Sequence, residues 1–297
     1  MDAFTAYLAP VGFENELAKE LGDISEVYGR LFLSPGPPKP VVWADNVWLN
    51  PRFIEIVSIG DAATKLKAIQ RNWANYAFDA HRRSNLITEK LPHVSGKPLK
   101  FPSAPPTAPL GSWTLVDNNR LLASPLCSSP MPNGAYVFEE NKTDAPSRAY
   151  LKLWEALTRL QKYPKEGETC LDLGSSPGGW TWVLQTLGAD VVSVDKAELA
   201  PHILSLPRVK YIQQSAFALE PESMGHVDWL FSDIICYPEK LLRLVEKWKP
   251  SVKNMVCTIK FQGETDHEMV AKFMEISGSS VFHLYNNKHE LTWVNLG

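Results

Sequence analysis

Beyond about residue 140, short apolar runs alternate with segments whose apolar positions recur every three or four residues. The runs predict buried strands and the recurrent segments predict amphipathic helices. The spacing predicts a helix over 147–162, a strand over 169–174, a helix over 177–187 opening with Pro177, and a strand over 190–195. Further strands are expected at 209–213, 226–233 and 254–260, and helices at 238–248 and 265–277. SVFHLYN at 280–286 and ELTWVNL at 290–296 predict a closing hairpin, with a reversed strand at the sheet edge. Strands alternating with helices predict a parallel α/β sheet.

Before residue 140 the pattern is less regular. Proline and turn signals are dense in SPGPPKP (34–40), FPSAPPTAPLG (101–111) and SPLCSSPMPNG (124–134). APVGFENELAKEL, 9–21, predicts a short strand, a turn and an amphipathic helix. Ile54, Ile56, Val57 and Ile59 predict another strand, and Thr64 to Trp73 a helix. The change in texture sets a domain boundary at 140/141: a smaller α+β domain over 1–140 and an α/β domain over 141–297.

Composition narrows the class. The 297 residues are 44% hydrophobic, ordinary for a globular chain, and no apolar stretch is long enough to span a bilayer. MDAFTAYLAP lacks the basic start and apolar core of a signal peptide. Cys127, Cys170, Cys236 and Cys257 are far apart and form no C-x-x-C, which argues against zinc or a disulfide framework and for a reducing cytoplasm. A net charge of -3 gives no global sign of a nucleic-acid partner. Locally, residues 64–100 hold eight Lys or Arg (Lys65, Lys67, Arg71, Arg82, Arg83, Lys90, Lys97, Lys100) against Asp79 and Glu89, interleaved with Trp73, Tyr76 and Phe78. That segment suits RNA, with cations on phosphates and rings under unpaired bases. It equally fits a solvated face over ordinary core aromatics.

The densest chemical signal is LDLGSSPGGW, Leu171 to Trp180, a buried strand ending in an acid and then a Gly-rich turn. Such a turn lets backbone approach a ligand closely. Asp195 ends the next apolar run, VVSVD, at the distance expected of a ribose-binding carboxylate. The dinucleotide fingerprint G-x-G-x-x-G is broken, because Gly174, Ser176 and Gly179 occupy its three places. Asp172 just before the turn is expected to repel a phosphate and suit a cation. S-adenosylmethionine (SAM), with its sulfonium and amino group, fits. Gly174, Ser176, Pro177, Gly178, Gly179, Trp180 and Asp195 are the first cofactor candidates, though Trp180 has the look of core packing.

The methyl acceptor has to be inferred separately. Methylation of exocyclic amines usually uses an N/D-P-P-Y/F turn after the fourth strand; here that turn is Ser232-Asp233-Ile234-Ile235. Carbon-5 methylation of pyrimidines needs a thiolate, for which Cys236 and Cys257 are candidates. A third possibility uses Lys152 before the first strand, Asp233 after the fourth, Lys260 ending the fifth and Glu290 opening the last. The first, fourth and fifth strands are expected to be central neighbours whose C-terminal ends face the cofactor crevice.

PSRAYLKL, DLGSSPGGW, FSDI, TIKF and HELTWV, in that order, resemble the FtsJ-type ribose 2′-O-methyltransferases. Within them the likeness is closest to the bacterial enzymes that act on a cytidine ribose of 23S ribosomal RNA, through DAPSRAYLKLWEA and VGFENELAKEL. It is strong over 144–297 and patchy before. The resemblance implies a Rossmann-like SAM-dependent methyltransferase fold: a seven-stranded sheet with its last strand antiparallel, behind a THUMP-like RNA-binding domain. It implies a K-D-K-E tetrad on Lys152, Asp233, Lys260 and Glu290, with Asp233 also near the methionine amino end. It further implies ribosomal RNA or a pre-ribosomal particle as partner, and no membrane or metal.

By the same resemblance Lys260 is the base that takes the ribose proton. Lysine can do so only as a neutral amine, a state favoured by burial or neighbouring cations. Lys152 would favour it by like-charge repulsion, Asp233 would orient Lys260, and Glu290 would order Lys152. This sequence departs from the family where Ser215, in QQSAF, replaces an acid near the adenine, where Ala149 replaces a serine, and in a shorter N-terminal half. A carbon-5 RNA methyltransferase, or an RNA-binding protein on a silent methyltransferase fold, are the competing readings; the intact tetrad argues against the second.

Overall fold

A computed structural model describes residues 3–297. The chain divides into two compact units, the first ending at Val137 and the second running Phe138–Gly297.

In the first unit β1 (Phe4–Leu8) leads through a turn to α1 (Glu14–Leu21), then β2 (Glu26–Tyr28), β3 (Leu31–Pro35) and β4 (Asn46–Trp48). These strands form one sheet in the order β2-β3-β1-β4. A second sheet, β5-β8-β7-β6, uses β5 (Arg52–Glu55), β6 (Trp73–Asn75), β7 (Gly111–Asp117) and β8 (Arg120–Ser124). Helices α2 (Ile59–Ile69) and α3 (His81–Thr88) complete the unit.

Three expectations change here. The opening strand lies at Phe4–Leu8 rather than from residue 9, because Pro10 and Gly12 belong to the turn. The apolar run 54–59 is split: β5 ends at Glu55, and Ser58 caps α2 by accepting the Asp61 N–H. Trp73 falls in β6 rather than at the end of a helix, and its indole N–H bonds the carbonyls of Leu66 and Gln70.

The basic segment also resolves. Trp73 and Tyr76 are buried, and the Tyr76 hydroxyl accepts the Arg30 N–H at 2.7 Å. Phe78 packs against the cluster that holds Leu31, Leu33 and Trp48. Trp73 and Tyr76 are core, not a stacking platform, because they are already covered; Phe78 is half-buried. Arg82, Lys90 and Lys97 remain at the surface, whereas Arg83 is half-buried and donates to Asn118 O.

The second unit contains α4 (Tyr150–Leu160), β9 (Thr169–Leu173), α5 (Gly179–Thr186), β10 (Asp190–Asp195), α6 (Pro201–Leu204) and β11 (Val209–Gln213). It continues with β12 (Val227–Ser232), α7 (Pro238–Trp248), β13 (Val252–Lys260), α8 (His267–Glu275), β14 (Ser279–Phe282) and β15 (Glu290–Leu296). Its seven-stranded sheet runs β11-β10-β9-β12-β13-β15-β14. This is the Rossmann-like methyltransferase fold: strand order reverses between β9 and β12, leaving a crevice beyond their C-terminal ends.

The reversed strand, β15, is not at the edge. It lies antiparallel between β13 and β14, so β14 takes the edge. Leu291, Trp293 and Val294 are buried, which an interior strand requires. Helix α5 opens at Gly179 rather than Pro177, because Gly178 has φ +111°, outside the helical region. Pro177 stays in the turn.

Candidate active site

The Gly-rich turn is shaped by close approach. Gly174 has φ +76°, and a Cβ there would lie 2.3 Å from Ile234 Cγ1. Glycine therefore lets the chain after β9 pass against the chain after β12, at the switch in strand order. Gly178 plays the same part against α6, where a Cβ would meet Ile203 Cγ2 at 2.7 Å.

Asp195, ending β10, holds this turn from the side. Its Oδ2 accepts the Ser176 N–H and its Oδ1 the Ala197 N–H, both at 3.0 Å. A carboxylate has about four lone-pair sites, so capacity remains for a ligand hydroxyl. A cleft of about 550 Å³ opens here, lined by Gly174, Ser176, Asp195, Ser215 and Asp233 among others. Pro177, Gly178, Gly179 and Trp180 do not line it; they build the turn and helix behind. The Trp180 side chain is buried and its indole N–H donates to Ala149 O at 2.9 Å. Ala149 itself lines a second cleft.

Asp172 corrects an expectation. Its side chain points into the protein, where Oδ2 accepts the Thr181 hydroxyl at 2.6 Å. Thr181 Oγ1 in turn lies 2.7 Å from Ser193 Oγ. Burial pushes the Asp172 carboxyl up to about 7, with a further push from the charge of Asp233. It does not present its charge to the cleft. The cleft gains residues that sequence reasoning missed: Ile234, Ile235, Phe217 and Lys240, with Lys240 Nζ 3.9 Å from the Phe217 ring centre. Lys240 sits two residues into α7, a placement visible only once the loop after β12 is built.

Lys152, Asp233, Lys260 and Glu290 converge. Lys152, on α4, donates to both Asp233 carboxylate oxygens at 2.7 Å and lies 3.2 Å from Glu290 Oε1. Lys260, ending β13, lies 2.6 Å from Asp233 O and 3.0 Å from Asp233 Oδ1. All four side chains are 11–18% exposed, so two lysines and two carboxylates face each other in a largely desolvated setting. Removing one partner from such a group typically costs about 3–5 kcal/mol, because the others are left uncompensated.

The second cleft, of about 640 Å³, lies on the other side of this cluster. Lys152, Glu290, Asn286 and Lys288 line it, with Arg148 adding another cation. Lys260 and Ile235 line both clefts. The end of β13 is thus a shared wall between a nucleoside-sized crevice and a cation-rimmed one.

The cysteines do not join this arrangement. Cys236 and Cys257 are buried, and burial raises both thiols above their ordinary range, the opposite of what a thiolate nucleophile needs.

Residues 145–280 match the model of the FtsJ-like methyltransferases. A relative from Xanthomonas campestris pv. campestris, "Ribosomal RNA large subunit methyltransferase M", is 30% identical over 251 residues, covering 78% of this chain and 68% of that protein. The chain belongs to the FtsJ-like methyltransferase family. A relative of the same description from Halorhodospira halophila is 42% identical over 108 residues, covering 35% of this chain and 31% of that protein. Another from Stenotrophomonas maltophilia strain R551-3 is 28% identical over 253 residues, covering 72% of this chain and 70% of that protein. This FtsJ-like chain is therefore an enzyme of the SAM-dependent RNA methyltransferase class. No helix among its described residues is long and apolar enough to cross a membrane, and no group of three or more His, Cys, Asp or Glu there could hold a metal ion.

Proposed function

We propose that this chain transfers a methyl group to a ribose 2′-hydroxyl of ribosomal RNA, with a cytidine of the large-subunit RNA as target. The observation that carries the reading is the place of Lys260 on the wall between the two clefts, wired to Asp233. Relatives described as large-subunit ribosomal RNA methyltransferases supply the substrate class.

SAM fits the first cleft. Gly174 leaves backbone exposed there, Asp195 offers acceptors to ribose hydroxyls, and Asp233 lies where an amino group would find a carboxylate. When bound, SAM supplies an electrophilic methyl on a good leaving group.

The rest is done by this chain. A ribose hydroxyl is a weak nucleophile near neutral pH, so its proton must be taken as it attacks. Lys152 faces three acceptors, Asp233 Oδ1, Asp233 Oδ2 and Glu290 Oε1, which match the three donors of an ammonium group. Lys260 faces two, both on Asp233, which leaves one direction at Nζ open to the acceptor hydroxyl. In this reading Lys260 accepts the ribose proton at Nζ, and Lys152 and Asp233 fix the amine in place. Arg148 and Lys288 at the second cleft hold the RNA backbone.

In the same reading the first unit is a THUMP-like module that adds RNA affinity through Arg82, Lys90 and Lys97, and the protein works in the cytoplasm, where its four free cysteines stay reduced. The experiment incubates the protein with SAM and ribosomal RNA from a strain lacking it, then maps alkaline cleavage. A new block at one nucleotide is expected, since 2′-O-methylation prevents cleavage there. Methyl incorporation without any block would refute ribose as the acceptor.

A further inference from the structure

Glu155 is fully buried, yet the tetrad does not use it. It lies three residues beyond Lys152 on α4, on the same helix face, and Arg159 follows one turn later. An isolated buried carboxylate is costly, so its partners show what it is for. Its Oε1 accepts the Tyr285 N–H at 2.8 Å and its Oε2 the Asn286 N–H at 2.9 Å. The Asn286 side-chain amide also donates to Oε2, at 2.8 Å. Arg159 pairs with Oε1 at 2.6 Å and donates to His283 O at 3.1 Å. Apart from the Arg159–Glu155 pair itself, these bonds all run from α4 to the loop between β14 and β15.

That loop supplies part of the second cleft, through Asn286, Lys288 and His289, and it delivers Glu290 to Lys152. Lys288 N also bonds Glu290 Oε1 at 3.4 Å. One helix face therefore carries the tetrad lysine and, one turn along, a grip on the loop that carries the tetrad acid. We propose that Glu155, with Arg159, is a positioning residue for methyl transfer: it clamps the β14–β15 loop so that Glu290 and the acceptor side of the second cleft stay in register with Lys152. The inference rests on the functional reading above. A shift of about 1 Å in such a group can cost roughly a hundredfold in rate.

The test uses Glu155→Gln and Asn286→Ala in the full chain. The first keeps an acceptor but removes the charge against Arg159; the second removes the side-chain donor to Oε2 from the loop side and leaves the buried pair intact. Hydrogen exchange should show faster exchange over 283–289 in both variants, with α4 still protected. For Glu155→Gln, kcat for ribosomal RNA should fall roughly ten- to a hundredfold while the Kd for SAM stays constant. Asn286→Ala should show a smaller drop of the same kind. If Glu155→Gln does not fold, Asn286→Ala decides alone. Undisturbed exchange in the loop, or a loosened loop with wild-type kcat, overturns the clamp. If the wild type transfers no methyl to ribosomal RNA, the functional reading fails, while the exchange data still decide whether the clamp exists.

Discussion

Lys260 and Glu290 stand opposite one another on the antiparallel β13–β15 ladder, and Lys152 reaches from α4 to the same place. One ladder position thus fixes a lysine on the wall shared by the two clefts against an acid of the second. The remaining distances are set by Asp233, which touches both lysines. In the proposed reading, a base held this way needs little rearrangement to meet its substrate.

Replacing Lys260 tests that directly. Lys260→Met should lose methyl transfer by on the order of a hundred- to ten-thousand-fold, the usual worth of a general base, with SAM affinity retained. Lys260→Arg should not rescue it, because guanidinium stays protonated at usable pH. The wild-type rate should rise with pH to a plateau, and the rising limb should vanish in Lys260→Met. Near wild-type transfer by Lys260→Met would end the case for this base.

Asp195→Ala removes one anchor of the Gly-rich turn, to Ser176, and a bond to Ala197 in the loop after β10. SAM binding should weaken by tenfold or more, as about 1.4 kcal/mol corresponds to each factor of ten. The melting temperature without ligand should change little, since both bonds lie at the half-exposed rim. Calorimetry showing unaltered SAM affinity would remove Asp195 from the cofactor site.

The second unit was largely legible because period-2 and period-3.6 patterns rarely compete there; 238–248 and 209–213 coincide with α7 and β11. The tetrad was legible through resemblance and not through spacing, since its members come from four separate elements. The position of β15 was hidden because pairing between β13 and β15 is a long-range event. Asp172 misled because a strand's last residues alternate between faces, and the sequence does not say which face meets the ligand. Glu155 was within reach: Lys152, Glu155 and Arg159 share one helix face otherwise rich in buried positions. The first unit resisted because its strands are only three to seven residues long and its aromatics are divided between two clusters.

RNA affinity should depend on the surface cations of the first unit. Neutralising Arg82, Lys90 and Lys97 to Gln should weaken binding to ribosomal RNA and lower the slope of log K against log salt, by up to about one for each phosphate that is no longer neutralised. SAM affinity should not change. An unaltered slope in a filter-binding titration would make this segment a solvated face and nothing more.

Asp172 sets a pH dependence of stability. Its carboxyl is pushed up to about 7 in the folded chain, from 3.8. Below pH 3.8 both folded and unfolded forms hold the proton, so the group is neutral and its favourable contribution is complete. Between 3.8 and about 7 the folded form keeps a proton that the unfolded form has released. Raising pH across that window therefore favours unfolding, by up to about 1.4 kcal/mol per pH unit, and the loss levels off above it. Asp172→Asn keeps an oxygen to accept the Thr181 hydroxyl and carries no titrating charge. Urea unfolding should show the variant gaining on the wild type as pH rises from 4 to 7 and holding a lead of a few kcal/mol at pH 8. A difference between the two proteins that stays flat over that range would mean that the Asp172 carboxyl ionises in the folded chain as it does in water.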